Sequence, residues 1–117
     1  MNTRKQGANG EKIAKKFLEK RDYRILEENF WTRYGEVDLI AQEGDYLVFV
    51  EVKSATTRSF ASPLEKIDYK KRQHLIRVAR YYLSLQQREV DFRFDVVAIL
   101  SYQQEDKIKL IKNAFLC

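Results

Sequence analysis

The sequence predicts an α+β, or mixed α/β, domain: one sheet with a helix on each face. Three observations predict it. Residues 34–42 and 46–53 alternate around a turn at Glu43-Gly44-Asp45 and read as a hairpin. Residues about 4–21 and about 63–85 have helical apolar spacing and stand on either side of that hairpin. Strand-like stretches precede the hairpin at about 23–31 and follow the second helix at 91–100 and 108–111. The order is helix, three strands, helix, two strands, over a single domain of residues 1–117.

The first helix opens on Thr3 and Gln6, which resemble a capping box. Its stripe is Ala14, Phe17 and Leu18, continued backwards by Gly7, Gly10 and Glu11. In the hairpin, Val37, Leu39 and Ala41 alternate against Val48, Val50 and Val52, so these six are expected on one apolar face. Glu36, Asp38 and Ile40 then share the other face with Leu47, Phe49, Glu51 and Lys53. Residues 54–62 read as a loop. Ser62-Pro63-Leu64-Glu65 reads as the start of the second helix, with Ser as cap and Pro at the first helical position. The stripe of that helix is Leu64, Ile67, Leu75, Val78, Ala79 and Tyr82.

Composition excludes several classes. The chain has 117 residues, 44% hydrophobic and 33% charged, an ordinary globular balance. Its one cysteine, Cys117, closes no internal disulfide, and one Cys with one His argues against a zinc site. No apolar run approaches the roughly 18 residues of a membrane span, and Met1 to Gln6 leads into no apolar signal core. The expected setting is the cytoplasm. The net charge of +5 is unevenly spread. Residues 1–24 and 53–93 are basic, residues 25–52 are strongly acidic, and residues 94–117 are balanced.

The acidic block contains the hairpin, and its register places the carboxylates. A one-residue slip would put the three valines beside Asp38, so both apolar sets must share a face. A two-residue loop at Gly44-Asp45 then sets Asp38 opposite Glu51, and Glu36 opposite Lys53; a turn shifted by one position keeps the same face and makes those pairs diagonal. Opposed Cβ atoms lie about 4.5–5.5 Å apart. Two carboxylates that close repel, and one takes up a proton unless a cation intervenes. Mg²⁺ accepts one or two carboxylates and leaves its other positions to water and phosphate. Lys53 shares the face and could orient an attacking water or offset charge on the phosphorane.

Other residues bear on this site. Glu11 and Lys71 lie on apolar helix stripes, so each either snorkels past the core or faces the carboxylates. Lys66, Lys70, His74 and Arg77 form a basic stripe along the second helix, either solvated or a phosphate track. Trp31, Tyr81 and Tyr82 could stack on bases, with core packing as the default.

Gly35-Glu36-Val37-Asp38-Leu39-Ile40 followed by Val48-Phe49-Val50-Glu51-Val52-Lys53 resembles the active-site signature of the PD-(D/E)xK, restriction-endonuclease-like, nuclease superfamily. The whole chain resembles the bacterial YraN-like family. The likeness includes Gly7, Gly10, Glu11 and Ala14; Phe60 and Pro63; Lys71, Leu75, Ala79, Tyr82 and Leu83; Arg93 to Val97; and Asn113 to Phe115. It implies a restriction-endonuclease-like core with a mixed five-stranded sheet. It implies Asp38 and Glu51 as metal ligands, Lys53 as the third catalytic residue, and Glu11 at the helix position that joins the metal site of related Holliday-junction resolvases. Lys71 matches a basic position of the family's second helix. The sequence departs from the family at Ala55, usually Arg, and Ala61, usually Gly; Arg58 is the candidate substitute for the missing arginine.

The expected activity is hydrolysis of phosphodiester bonds in DNA, branched or damaged DNA included, with Mg²⁺ or Mn²⁺. Asp38, Glu51, Lys53 and Glu11 form the catalytic set, and Arg58, Lys66, Lys70, Lys71 and Arg77 contact nucleic acid. The alternative is a nucleic-acid-binding or partner-binding module on the same fold with weak catalysis. RNA as substrate and a homodimer are left open, and no membrane partner is expected.

Overall fold

A computed structural model describes residues 3–55, 67–102 and 104–115. The chain runs α1 (Thr3–Glu19), β1 (Arg24–Thr32), β2 (Gly35–Glu43), β3 (Tyr46–Ala55), α2 (Tyr69–Ser84), β4 (Asp91–Tyr102) and β5 (Glu105–Phe115). The strands form one sheet in the order β1-β2-β3-β4-β5. β3 and β4 are parallel and the other neighbours antiparallel. Parallel neighbours need a long crossover, and α2 lies within it. This is the element order and mixed sheet that the sequence predicts.

Each helix covers one face. Ala14 and Leu18 of α1 pack on Leu39, Ala41, Val48, Val50, Val97 and Ile99. Leu75, Ile76, Val78 and Ala79 of α2 pack on Ile40, Leu47, Phe49, Phe94 and Val96. Full burial of such a side chain stabilises by about 1.5–3 kcal/mol before the entropic cost of ordering it. Phe49 anchors the α2 side, with the rings of Tyr82, Phe92 and Phe94 within 6.2 Å of its own.

The central hairpin has the expected register. Leu39 pairs with Val50, Ala41 with Val48 and Glu43 with Tyr46, which leaves Gly44 and Asp45 as the loop. Gly44 has φ 58 and Asp45 a negative φ, the pattern of a type II′ turn, which wants glycine first.

Four expectations are corrected. Val37 belongs with the α2-side cluster, not with Leu39 and Ala41, for a reason that lies at Asp38. The segment Ser62–Glu65 lies outside the described residues, as do Phe60, Arg58 and Lys66. Ile67 and Asp68 are not helical, however, so no unbroken helix runs from residue 63 to 85. Asp68 is the N-cap of α2: its backbone is extended and its Oδ1 accepts the Lys71 N–H at 2.8 Å. β5 spans 11 residues rather than four, because its exposed lysines are those of an edge strand. Trp31 and Tyr81 are not core residues; they are 74% and 46% exposed. Tyr82 does pack inside, edge-on to Phe30 and Phe49.

Candidate functional site

Asp38 sits where β2 and β3 separate. Their ladder runs from the turn to Leu39 and Val50. Beyond it, the Val52 N–H donates to Asp38 Oδ2 at 2.7 Å. A side-chain oxygen has replaced a strand carbonyl as acceptor. The alternation of β2 slips there, which turns Val37 to the α2 face while Leu39 stays on the α1 face.

Glu51 lies on β3 and is buried. Its side chain neighbours that of Asp38, which also neighbours Glu11. Carboxylates this close favour a proton on one of them unless a cation intervenes. Burial, then the contact with Glu51 and the charges of Glu51 and Glu11, push the Asp38 carboxyl well above the ordinary range; only the Val52 N–H opposes them. Glu11 is raised as well, by burial first and then by the charges of Glu36 and Glu28, against hydrogen bonds from Asn29 and Asp38. Gly10 lets α1 approach this closely: a Cβ there would meet Ser54 Oγ at 2.7 Å.

Lys71 of α2 brings one cation. Its Nζ lies 3.1 Å from Glu51 Oε2 but is not aligned as a donor, so this buried oxygen has no hydrogen bond. Of the two readings of Lys71, the facing one holds. Glu11, Glu36 and Asp38 each offer an oxygen, all within 4.8 Å of one another. Asp38 thus stands between Glu51, which is paired with Lys71, and the carboxylates of Glu11 and Glu36.

This cluster fits a hard divalent cation. Its donors are all oxygen, as Mg²⁺ and Mn²⁺ prefer. Buried polar atoms normally find partners, and Glu51 Oε2 has none. The comparison with Asp95, also buried, is instructive. Asp95 accepts from Tyr23 Oη at 2.8 Å, Arg93 Nε at 3.0 Å and the Asn113 N–H at 3.0 Å. Arg93 also bonds Glu43, which Lys112 reaches at 3.0 Å. That network is closed by protein donors and needs no ion.

The remaining expected residues are placed as follows. Lys53, two positions past Glu51 on β3, is half-buried and makes no ion pair among the described residues. It is not paired with Glu36, because the ladder has ended. Lys70 and Arg77 are exposed on α2. His74 is half-buried, its Cβ 3.7 Å from where a Gly35 Cβ would stand. Glu36 was legible as a neighbour of Asp38 but not as a ligand; its signal is the i−2 position, which shares a strand face.

A model of the uncharacterised protein family UPF0102 matches residues 10–99. The UPF0102 protein of Caldicellulosiruptor saccharolyticus is 45% identical over 118 residues, covering 98% of this chain and 100% of the relative. That of Thermodesulfovibrio yellowstonii is 42% identical over 109 residues, covering 93% and 94%. That of Alkaliphilus metalliredigens is 42% identical over 110 residues, covering 93% and 96%.

Proposed function

The chain belongs to the UPF0102 family, and from its carboxylate site we propose that it is a Mg²⁺-dependent endonuclease that hydrolyses phosphodiester bonds in DNA, branched or damaged DNA included. The observation that carries the reading is the convergence of Glu11, Glu36 and Asp38 oxygens within 4.8 Å of one another, beside the buried Glu51 Oε2 that makes no hydrogen bond.

Asp38 and Glu51 would hold the metal, with Glu11 and Glu36 completing the oxygen set. Bound Mg²⁺ supplies phosphate polarisation and a water of lowered pKa. The chain does the rest. Asp38, whose carboxyl is raised, would have to be deprotonated to serve as a ligand. Lys53 orients the attacking water and offsets charge on the phosphate oxygens. Lys71 balances Glu51 before loading. Lys70 and Arg77 hold phosphates further along the strand. The cytoplasm, where the DNA lies, is the setting in which this reading makes sense.

The test is incubation with branched, flapped and linear DNA in Mg²⁺ or Mn²⁺. Cleavage by the parent and none by Asp38→Asn is the expected result. Equal cleavage by both would refute the site. DNA binding without turnover in any metal would favour a binding module instead.

A further inference from the structure

We propose that the exposed aromatic and arginine surface beside the carboxylate cluster binds an unpaired nucleic-acid strand, with bases stacked on Trp31 and Tyr81 and phosphates held by Arg77 and Arg80. The proposal deepens the nuclease reading, and rests on it, by naming the substrate class: DNA with a single-stranded segment next to the scissile bond.

Trp31 ends the edge strand β1 and is 74% exposed. Large aromatic side chains are seldom left so open without a partner. Tyr81 of α2 is exposed too, and the two residues line one depression of about 360 Å³ with Arg33 and Tyr34. A second depression of the same size adjoins it, lined by Tyr34, Arg77, Arg80 and Tyr81. Among the described residues, neither wall contains an acidic one. Arg77 and Arg80 are exposed and make no ion pair among the described residues. Arg33 lies by the Tyr34 ring, 4.9 Å from its centre, and donates to its hydroxyl at 2.7 Å.

The surface joins the site through one strand pair. Trp31 is directly opposite Glu36, and Glu36 is a member of the carboxylate cluster. A base on Trp31 therefore lies about one side chain from the cation site. The chemistry selects unpaired bases. A duplex buries its base faces in its own stack, whereas a single strand offers them to aromatic rings, each worth about 1–3 kcal/mol. Arginine serves both phosphate and base planes.

The test uses the full chain carrying Asp38→Asn, in EDTA, so that nothing is cleaved. Probes are labelled oligothymidylate, an abasic strand with the same number of phosphates, and a blunt duplex, followed by anisotropy. Trp31 is the only tryptophan, so its fluorescence reports stacking directly. Oligothymidylate should quench it, and the abasic strand should bind at least tenfold more weakly. Trp31→Ala and Tyr81→Ala should each weaken oligothymidylate about 5- to 150-fold, while Trp31→Phe keeps most of the affinity. Arg77→Ala should lower the slope of log affinity against log salt by about 0.7. Equal affinity for thymidylate and abasic strands, tighter duplex binding, or an unaffected Trp31→Ala would each overturn the proposal. Because no metal is present, failure here is distinct from failure of the nuclease reading, which only a cleavage assay reports.

Discussion

Replacing Asp38 by Asn in the metal-free protein separates a cation site from a merely polar one. The amide keeps an oxygen for the Val52 N–H, at 2.7 Å in the parent. Its NH₂ can donate to Glu51 without needing a proton. In the parent, the Asp38 carboxyl is raised by burial and by Glu51. An unfolded Asp titrates near 3.9. From about pH 5 to 7 the folded protein therefore holds a proton that the unfolded chain has lost, and stability falls as pH rises. The limiting slope is about 1.4 kcal/mol per pH unit. Asp38 is partly exposed, so about half is a fair expectation, roughly 1.4 kcal/mol across the interval. For a domain of this size that is about 5 °C in Tm. Scanning calorimetry of parent and variant in EDTA, at pH 5, 6 and 7, measures it; subtracting the curves cancels groups common to both. The variant should lack the fall and be the more stable protein at pH 7. Excess Mn²⁺ should raise the parent's Tm, by about 1.4 kcal/mol equivalent at ten times Kd, and leave the variant unmoved. A parent curve parallel to the variant's, or the same Mn²⁺ shift in both, would refute the reasoning.

Other substitutions follow from the same geometry. Lys71→Met removes the cation paired with Glu51, so it should cost roughly 1–2 kcal/mol in EDTA, less than a fully buried pair because Lys71 is partly solvated; its Mn²⁺ shift in Tm should exceed the parent's. Glu11→Gln should fold normally and bind Mn²⁺ several-fold more weakly by calorimetric titration, since it keeps the contact to Asn29 but loses a charge. Tyr23→Phe removes one donor to Asp95 and should cost about 1–1.5 kcal/mol in urea unfolding, with the Mn²⁺ shift unchanged.

What could be read in the sequence depended on how local the determinant was. The hairpin register is legible because alternation fixes the face and a loop at Gly44-Asp45 fixes the pairing; it brings Asp38 near Glu51, although the ladder itself ends at Leu39 and Val50. Glu11 and Lys71 were visible as charges on apolar stripes, though not where each pointed. The unbroken helix expected from residue 63 is interrupted at Ile67 and Asp68, where Asp68 caps α2 without a following proline; the Ser62-Pro63 start lies outside the described residues. Residue type makes core packing the default for Trp31. Its exposure follows from its position at the end of an edge strand, which only the sheet order reveals. The flip of Val37 was beyond periodicity, because it depends on a side chain entering the ladder.

Asp38 and Asp95 show what separates a functional carboxylate from a structural one. Each stands in an apolar strand, and each accepts a backbone N–H from a neighbouring strand. Residues two apart on a strand share a face, so the i−2 residue is the first partner either can meet. For Asp95 it is Arg93, which bonds it directly and closes the network. For Asp38 it is Glu36, a second negative charge. The slip in β2 then opens this end of the hairpin, and α1 brings in Glu11 through the close approach at Gly10. A fold selected for stability alone would supply an arginine there, as it does at residue 93. Acid at i−2, acid across the hairpin and acid from the helix concentrate more negative charge than Lys71 offsets, and a bound divalent cation would balance it.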